Sequence, residues 1–305
     1  MNYGALYSKM FVFAVLLTLG YLLARKGILT KEFNKSASSL LINVFIVASI
    51  INSVLGERPE LSGKDFALVF GMLCLSEIIT YICAVIFCRF LKKDELRFQT
   101  ELLMEATNTL FVGLPVVSAL CGNQGAFYVG MSCIPYNILL YSYGVWNLQR
   151  GKGSDGIHLK DLMTSSLIAA LLSLVIFIFN PTLPSFVTEL FSTTSSATVP
   201  VSMIIIGANL GKINPIAAFK EKRNYIVALE RLVITPLIAY FIIRLFTDDT
   251  ALLLSCTVIA AVPVGAIATP LSIQYGYDPE YASRATMVTT ILCMLTIPML
   301  VQILF

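Results

Sequence analysis

Residues 106–122, ATNTLFVGLPVVSALCG, have the apolar composition of a membrane-spanning helix but carry Asn108, Gly113 and Pro115 near the middle. Proline lacks an amide hydrogen and its ring clashes with the carbonyl four residues earlier, so Pro115 predicts an interrupted helix. In lipid, a carbonyl left unpaired costs several kcal/mol. Such a break is tolerated where protein covers it or where it lines a polar cavity. The stretch therefore predicts a broken spanning helix that meets a partner from elsewhere in the chain.

The composition of the whole chain supports a membrane setting. Of its 305 residues, 57% are hydrophobic and 13% are charged, and the mean hydropathy is +0.82; a soluble domain is about a quarter charged. The net charge of +3 is too small to suggest a nucleic-acid partner. The seven cysteines lie in apolar segments and the chain has one histidine, so we expect no metal site and no cofactor.

Apolar runs of about 20 residues predict ten spanning helices and an all-α polytopic protein of the cell membrane. Lysine and arginine are concentrated in alternate loops, which places those loops in the cytoplasm and both termini outside. The segment 184–196 either extends the short seventh span or lies at the membrane interface. The ten predicted spans are 7–24, 34–55, 66–90, 100–121, 124–148, 163–179, 197–211, 224–246, 251–274 and 279–304.

A polar linker at 148–161, LQRGKGSDGIHLKD, leaves five predicted spans on either side. Because five is odd, two homologous halves would have opposite orientations, which is the inverted-repeat plan of many transporters. The ninth span contains a counterpart of the first stretch, AAVPVGAIATPLSIQYG at 260–276. It is interrupted by Pro263, Gly265 and Pro270. We predict a 5+5 inverted repeat whose broken helices 4 and 9 cross near the middle of the membrane.

Two crossing breaks predict a site for a small anion, because the second half of each helix presents a partly positive amino-terminal end. Tyr136 and Asn137 in the fifth span either line this cavity or pack as ordinary residues. A single proline kink is usually only a kink, but prolines at corresponding positions of two halves favour a functional role. The residues predicted for the site from this pattern are Asn108, Gly113, Pro115, Tyr136, Asn137, Pro263, Gly265 and Pro270.

The acidic residues inside the predicted spans are glutamates, since every aspartate lies at a helix end or in a loop. A carboxylate in hydrocarbon is a candidate proton carrier or cation ligand. Two structural explanations stay open beside this functional one. Glu101 and Glu105 lie at the cytoplasmic interface in the first, and Glu230 pairs with a basic residue of another helix in the second. The candidates for proton or sodium coupling are Glu77, Glu105 and Gln274.

The chain resembles the auxin efflux carrier family of membrane transporters, which includes plant auxin carriers and bacterial carriers of malonate, malate and similar anions. The stretch NTLFVGLP at 108–115 is similar to the Asn-Thr-Leu-x-x-Gly-x-Pro signature of the plant members. GYLLARKGIL at 20–29, RLVITP at 231–236 and PVGAIATPLSIQYGYDPEYAS at 263–283 are also similar to family patterns.

The resemblance implies a scaffold and dimerisation domain at 1–60 and 162–218 and a transport domain at 61–149 and 219–305, with a cytoplasmic linker at 150–161. It also implies a homodimer and an elevator-like movement of the transport domain.

At the site, the resemblance implies that Asn108 contacts the substrate carboxylate beside Thr109, and that Pro115 marks the crossing. Glu77 itself lies near the position where the plant members have an acidic residue in their third span. In the ninth span the second proline comes later than in plant members. Ala268 is therefore an alternative to Pro270 as the crossing residue.

The predicted function is secondary transport of a small organic anion, such as a mono- or dicarboxylate or an auxin-like acid, out of the cell. The transport is either coupled to protons or sodium or driven by the membrane potential. An enzyme is not expected, because the spans lack the paired aspartates or Ser/His arrangement that intramembrane catalysis needs. The alternative is a membrane receptor of the same fold that binds without translocating.

Overall fold

A computed structural model describes residues 3–55, 63–91, 96–152 and 164–305. Over these ranges the protein is almost entirely helical and contains no β-strand beyond one isolated bridge. Single π-helical turns occur at Leu41–Phe45, Thr109–Gly113, Leu140–Gly144 and Glu230–Ile234. The helices are α1 (Tyr3–Arg25), α2 (Lys31–Leu40), α3 (Ile46–Leu55), α4 (Gly63–Arg89), α5 (Leu96–Glu105), α6 (Leu114–Leu139), α7 (Val145–Lys152), α8 (Ser165–Phe179), α9 (Ser185–Ser196), α10 (Thr198–Leu210), α11 (Pro215–Lys220), α12 (Lys222–Leu229), α13 (Thr235–Ile243), α14 (Thr250–Ala261), α15 (Ala268–Gln274) and α16 (Pro279–Leu304).

Within the described ranges, 7 helical segments are long and apolar enough to cross a membrane. The prediction of an all-α, multi-pass membrane protein is therefore confirmed, and the ten-helix inverted repeat with crossing helices stays a prediction. Two shorter apolar helices, Ser165–Phe179 and Thr250–Ala261, accompany them. The 7 candidate spans are Tyr7–Arg25, Glu32–Leu55, Asp65–Arg89, Thr109–Lys152, Ser185–Leu210, Lys222–Ile243 and Pro279–Leu304.

The segment Thr109–Lys152 is too long for one span. Its 44 residues would extend about 66 Å as a straight helix, against about 30 Å of hydrocarbon. Gly122 interrupts it with φ 60° and ψ −143°, a backbone conformation outside the helical region. Glycine tolerates these angles because it has no Cβ. Gly276, at the end of the second interrupted stretch, also has a positive φ, of 70°.

The segment before the short seventh span is helical. It forms α9, which runs into α10 within one candidate span, Ser185–Leu210. This outcome favours the extended span over an interfacial position. Residues 153–163 of the predicted linker region lie outside the described residues.

The chain divides into two compact units. Unit 1 comprises Met1–Phe70, Leu110–Ile134 and Met163–Lys212, and unit 2 comprises Gly71–Thr109, Pro135–Leu162 and Ile213–Phe305. The scaffold and transport domains expected from the resemblance have other boundaries, since 110–134 belongs here to unit 1. That functional division stays a prediction.

Unit 1 is organised by close contact between α1 and α10. The backbones approach so closely that a Cβ added at Gly207 would lie 1.9 Å from the Leu17 carbonyl oxygen. Gly20 of α1 has the reciprocal contact, 2.1 Å from the carbonyl oxygen of Ile204. Small residues allow membrane helices to approach in this way, and packing is then the main source of their association. In the same unit, α3 packs against α8 and α9.

Unit 2 has a core built mainly from α4, α5, α7, α12, α15 and α16. Leu102, Leu103 and Met104 at the end of α5 are fully buried there, together with Val264 and Ala268. Ser76 of α4 also donates a hydrogen bond of 3.2 Å to the Cys256 carbonyl of α14. This core surrounds the places where α5 and α14 end.

Candidate functional site

Two helices of unit 2 end in the same place and their extended continuations pair with each other. α5 ends at Glu105, and α14 ends at Ala261. Beyond them Thr107 and Val264 form an antiparallel bridge. The Asn108 amide donates to the Pro263 carbonyl at 2.9 Å, and the Gly265 amide donates to the Ala106 carbonyl at 2.7 Å. The two sequence stretches that predicted broken helices thus satisfy part of each other's backbone.

The interruptions lie upstream of the prolines that signalled them. Pro115 is the second residue of α6, directly after the π-helical turn Thr109–Gly113. The wider turn accommodates a ring that would clash with the Phe111 carbonyl in an α-helix. Pro270 is the third residue of α15, where the amide has no partner inside the helix and proline is tolerated. Of the three prolines, Pro263 alone lies inside a non-helical segment.

Side chains pair with further backbone groups of the breaks. The Tyr136 hydroxyl donates to the Thr107 carbonyl at 3.2 Å, and the Val264 amide donates to the Thr289 hydroxyl at 3.1 Å. The hydroxyls of Thr107 and Thr109 are 2.7 Å apart. These backbone groups therefore have protein partners. The prediction that the amino-terminal helix ends beside the breaks bind an anion stays a prediction.

The side chain of Asn108 is suited to bind an anion. It is 5% exposed, and its own backbone amide is held by Pro263. Its side-chain amide makes no hydrogen bond with the described residues, and its amide atoms are not among the fully enclosed polar atoms that lack a partner. An amide offers two donors and one acceptor oxygen, which is enough to orient a carboxylate without carrying charge.

Arg231 is the functional candidate that the sequence interpretation missed. Its side chain is fully buried in unit 2. The Nε atom donates to the Val262 carbonyl at 2.9 Å, and Nη1 donates to the Met104 carbonyl. The sequence did indicate it, because Arg231 lies within a predicted apolar span. A charged side chain in such a place is energetically costly and usually functional.

Four buried glutamates, Glu77, Glu101, Glu105 and Glu230, belong to the same unit. Both carboxylate oxygens of Glu77 and of Glu105 lack a hydrogen-bond partner within the described chain. Glu230 accepts a 2.5 Å hydrogen bond from the Thr235 hydroxyl through Oε1. The basic residue that it interacts with electrostatically is its chain neighbour Arg231, not a residue of another helix. Glu105 is fully buried rather than exposed. Glu101 accepts from Tyr143 at 2.7 Å.

The remaining predicted site residues divide into buried and exposed positions. In unit 2, Thr109, Asn137 and Ala268 are buried, whereas Pro270 and Gln274 are exposed. Gln274 donates to the hydroxyl of its neighbour Tyr275 at 3.5 Å. The structure therefore does not bring Gln274 together with Glu77 and Glu105 as a buried group. Gly113 and Pro115 are buried within unit 1.

Unit 1 contains a cavity of about 170 Å³. Pro115 and Gly122 of α6 line it, together with residues of α3, α9 and α10. Its lining residues offer hydroxyl and amide groups and no charged side chain. The polar ones are Ser49, Asn52, Ser118, Asn123, Ser195 and Thr198. A cavity of this chemistry suits a small polar solute or water.

The comparisons with known proteins agree with a transporter. The sequence pattern of a family described as "Membrane transport protein" matches residues 5–301. An uncharacterized transporter of Methanocaldococcus jannaschii is 26% identical over 299 residues, with 93% of this chain and 94% of the relative covered. An uncharacterized transporter of Methanothermobacter thermautotrophicus is 25% identical over 296 residues, with the same coverage of 93% and 94%. The chain therefore belongs to the membrane transport protein family, the group that includes the auxin efflux carriers.

Proposed function

We propose that the protein is a secondary transporter that carries a small organic anion out of the cell. The observation that supports this most directly is the Asn108 side chain, which lies beside two paired helix breaks and makes no hydrogen bond with the described residues. The residue is 5% exposed, and its amide atoms are not among the fully enclosed polar atoms that lack a partner. A substrate can therefore reach this amide and hydrogen-bond to it.

The chemistry around Asn108 favours a carboxylate over a more highly charged anion. The described residues of unit 2 supply one fully buried guanidinium, that of Arg231, against four buried carboxyl groups. A polyanion would meet too little positive charge to offset its desolvation. A mono- or dicarboxylate or an auxin-like acid is therefore the substrate class that we propose.

Translocation is proposed to occur by alternating access. In this scheme a transport domain that contains the helix breaks shifts like an elevator against a scaffold, and the scaffold forms a homodimer in the membrane. In inverted-repeat transporters the substrate usually binds near the middle of the membrane, where discontinuous spanning helices are interrupted. The termini are placed outside by the distribution of lysine and arginine.

The test is thermal-shift screening of the purified protein against a panel of mono- and dicarboxylates. We expect one or more of them to raise the Tm of the parent, and we expect Asn108→Ala to lose this shift. Loss of one buried hydrogen bond to a charged group costs about 1.5–3 kcal/mol, and each 1.4 kcal/mol is about tenfold in affinity.

Asn147→Ala is the matched control for Asn108→Ala. Asn147 is a buried asparagine of the same unit, and its side chain donates to the Phe98 carbonyl at 3.4 Å. The control should keep the ligand-dependent shift although it also loses an amide. A carboxylate that stabilises Asn108→Ala as strongly as the parent would remove Asn108 from the site.

Glu77→Gln tests coupling to protons. Glutamine keeps the shape of the buried side chain but cannot gain or lose a proton, so we expect anion flux in proteoliposomes to lose its dependence on pH. Exposed Glu189 of α9 provides the control variant Glu189→Gln, whose profile should match the parent. If the flux of Glu77→Gln depends on pH as the flux of the parent does, Glu77 is not the residue that couples transport to protons.

A further inference from the structure

The guanidinium of Arg231 lies where two helices of unit 2 end. Met104 belongs to the last turn of α5, and Val262 is the C-terminal cap of α14. The last carbonyls of a helix have no partner within it and carry partial negative charge. Arg231 donates to one such carbonyl from each helix, through Nη1 to Met104 and through Nε to Val262 at 2.9 Å. One buried cation thus caps both helices.

Helix carboxyl ends and unwound carbonyls are also where transporters with broken helices coordinate a coupling sodium ion. Around these breaks five of the carbonyls are already engaged by protein donors. Met104 and Val262 accept from Arg231. Ala106 and Pro263 accept from the paired backbone amides, and Thr107 accepts from Tyr136. A second cation would also be repelled by the guanidinium at short range.

The charge of Arg231 is shared with its surroundings rather than neutralised by one carboxylate. Its Nη2 atom has no hydrogen-bond partner within the described chain. Glu77 of α4 and the adjacent Glu230 interact with it electrostatically, as do Tyr81 of α4 and Tyr136 of α6. The carbonyl ends of α5 and α14 are its direct contacts. Arg231 is therefore positioned by the helix ends, as an ion would be.

We propose that Arg231 is a built-in cation that occupies the structural place of a coupling sodium ion, so that this carrier moves its anion without sodium. The proposal rests on the transport function proposed above. In it Arg231 is a positioning residue, which holds the ends of α5 and α14 together and so keeps Asn108 in place.

The first experiment needs no substrate. The Tm of the purified protein is measured in equal concentrations of NaCl, KCl and choline chloride. We expect the parent to give the same Tm in all three salts. We expect Arg231→Met, which keeps an unbranched stem but removes the guanidinium and its charge, to have a lower Tm that sodium raises more than potassium or choline does. Arg231→Lys should keep most of the parent's Tm and its indifference to sodium.

Arg244→Met is the matched control, because Arg244 is an exposed arginine just beyond α13. Its guanidinium donates to the Tyr240 hydroxyl and lies over the Tyr240 ring, so the Tm of the variant should fall slightly but should be the same in all three salts. A parent Tm that rises specifically with sodium would overturn the proposal, as would an Arg231→Met variant with the parent's Tm in all salts. If Arg231→Met does not fold, the parent titration and Arg231→Lys decide the question.

The second experiment uses a carboxylate identified by thermal shift. In proteoliposomes, its flux should be the same under a sodium gradient as under a matching potassium gradient. A flux that requires sodium would overturn the proposal. If no carboxylate binds or moves, the transport proposal fails, and the salt dependence of the Tm still decides whether Arg231 replaces a cation.

Discussion

Gly265→Ala should destabilise the protein and abolish its response to carboxylates. A Cβ at this position would lie 2.7 Å from the Thr107 carbonyl oxygen and 3.3 Å from that of Ala106. The backbone cannot withdraw without breaking the 2.7 Å hydrogen bond from the Gly265 amide to Ala106. Overpacking of this kind costs about 1–3 kcal/mol. The segment that carries Gly265 also holds the Asn108 amide, through the Pro263 carbonyl. Displacing this segment should therefore disturb the proposed ligand site together with the fold.

The measurements for Gly265→Ala are the Tm with and without a stabilising carboxylate and the flux in proteoliposomes. Gly71→Ala is the control, because a Cβ added at Gly71 in α4 meets nothing within 4 Å. Alanine is also favoured over glycine inside a helix by about 0.5–1 kcal/mol, so this control should be as stable as the parent or more so. A Gly265→Ala protein with the parent's Tm and flux would show that the paired breaks tolerate separation.

Gly207→Ala should have an even larger effect on stability. Its Cβ would lie 1.9 Å from the Leu17 carbonyl oxygen and 2.8 Å from the Leu17 carbonyl carbon. These are backbone atoms of α1, which cannot move aside as a flexible side chain would. The whole of α1 must shift away from α10, and much of the packing along both helices is lost. Gly207 of α10 and Gly211, which caps this helix, form a GxxxG pattern, which is typical of closely packed membrane helices.

The Tm of Gly207→Ala, of Gly20→Ala and of the double variant tests this contact. Both single substitutions force the same two helices apart, so their effects should be far from additive. Gly71→Ala again serves as the control. Single variants with the parent's Tm would mean that α1 and α10 are not held together by this close approach.

Much of the fold class followed from composition and periodicity. Long apolar runs with little charge predicted a helical membrane protein, and the prolines and glycines at 106–122 and 260–276 located the two interrupted helices. The position of each interruption was less predictable. Pro115 and Pro270 mark residues near the start of a helix, where a missing amide is tolerated, so they indicate where helix resumes rather than where it stops.

The contacts around the breaks were the part that sequence could not supply. Arg231 is far in sequence from both Met104 and Val262, and the burial of one arginine within a span does not reveal which carbonyls it binds. The free side chain of Asn108 and the partnerless oxygens of Glu105 depend equally on which neighbours the fold supplies. By contrast, the GxxxG pattern of α10 was visible in the sequence and could have predicted the close contact with α1.

The kink at Gly122 constrains where the chain can change length. Helix continues on both sides of this residue with no intervening loop. Because the backbone leaves the helical region at Gly122, an insertion at this turn does not rotate the second helical part by the fixed angle that an insertion within a helix would impose. Gly122 is also exposed, and exposed turns tolerate insertions best. An epitope tag should therefore be accepted at Gly122 and rejected a few residues later, where Phe127 and Tyr128 are buried.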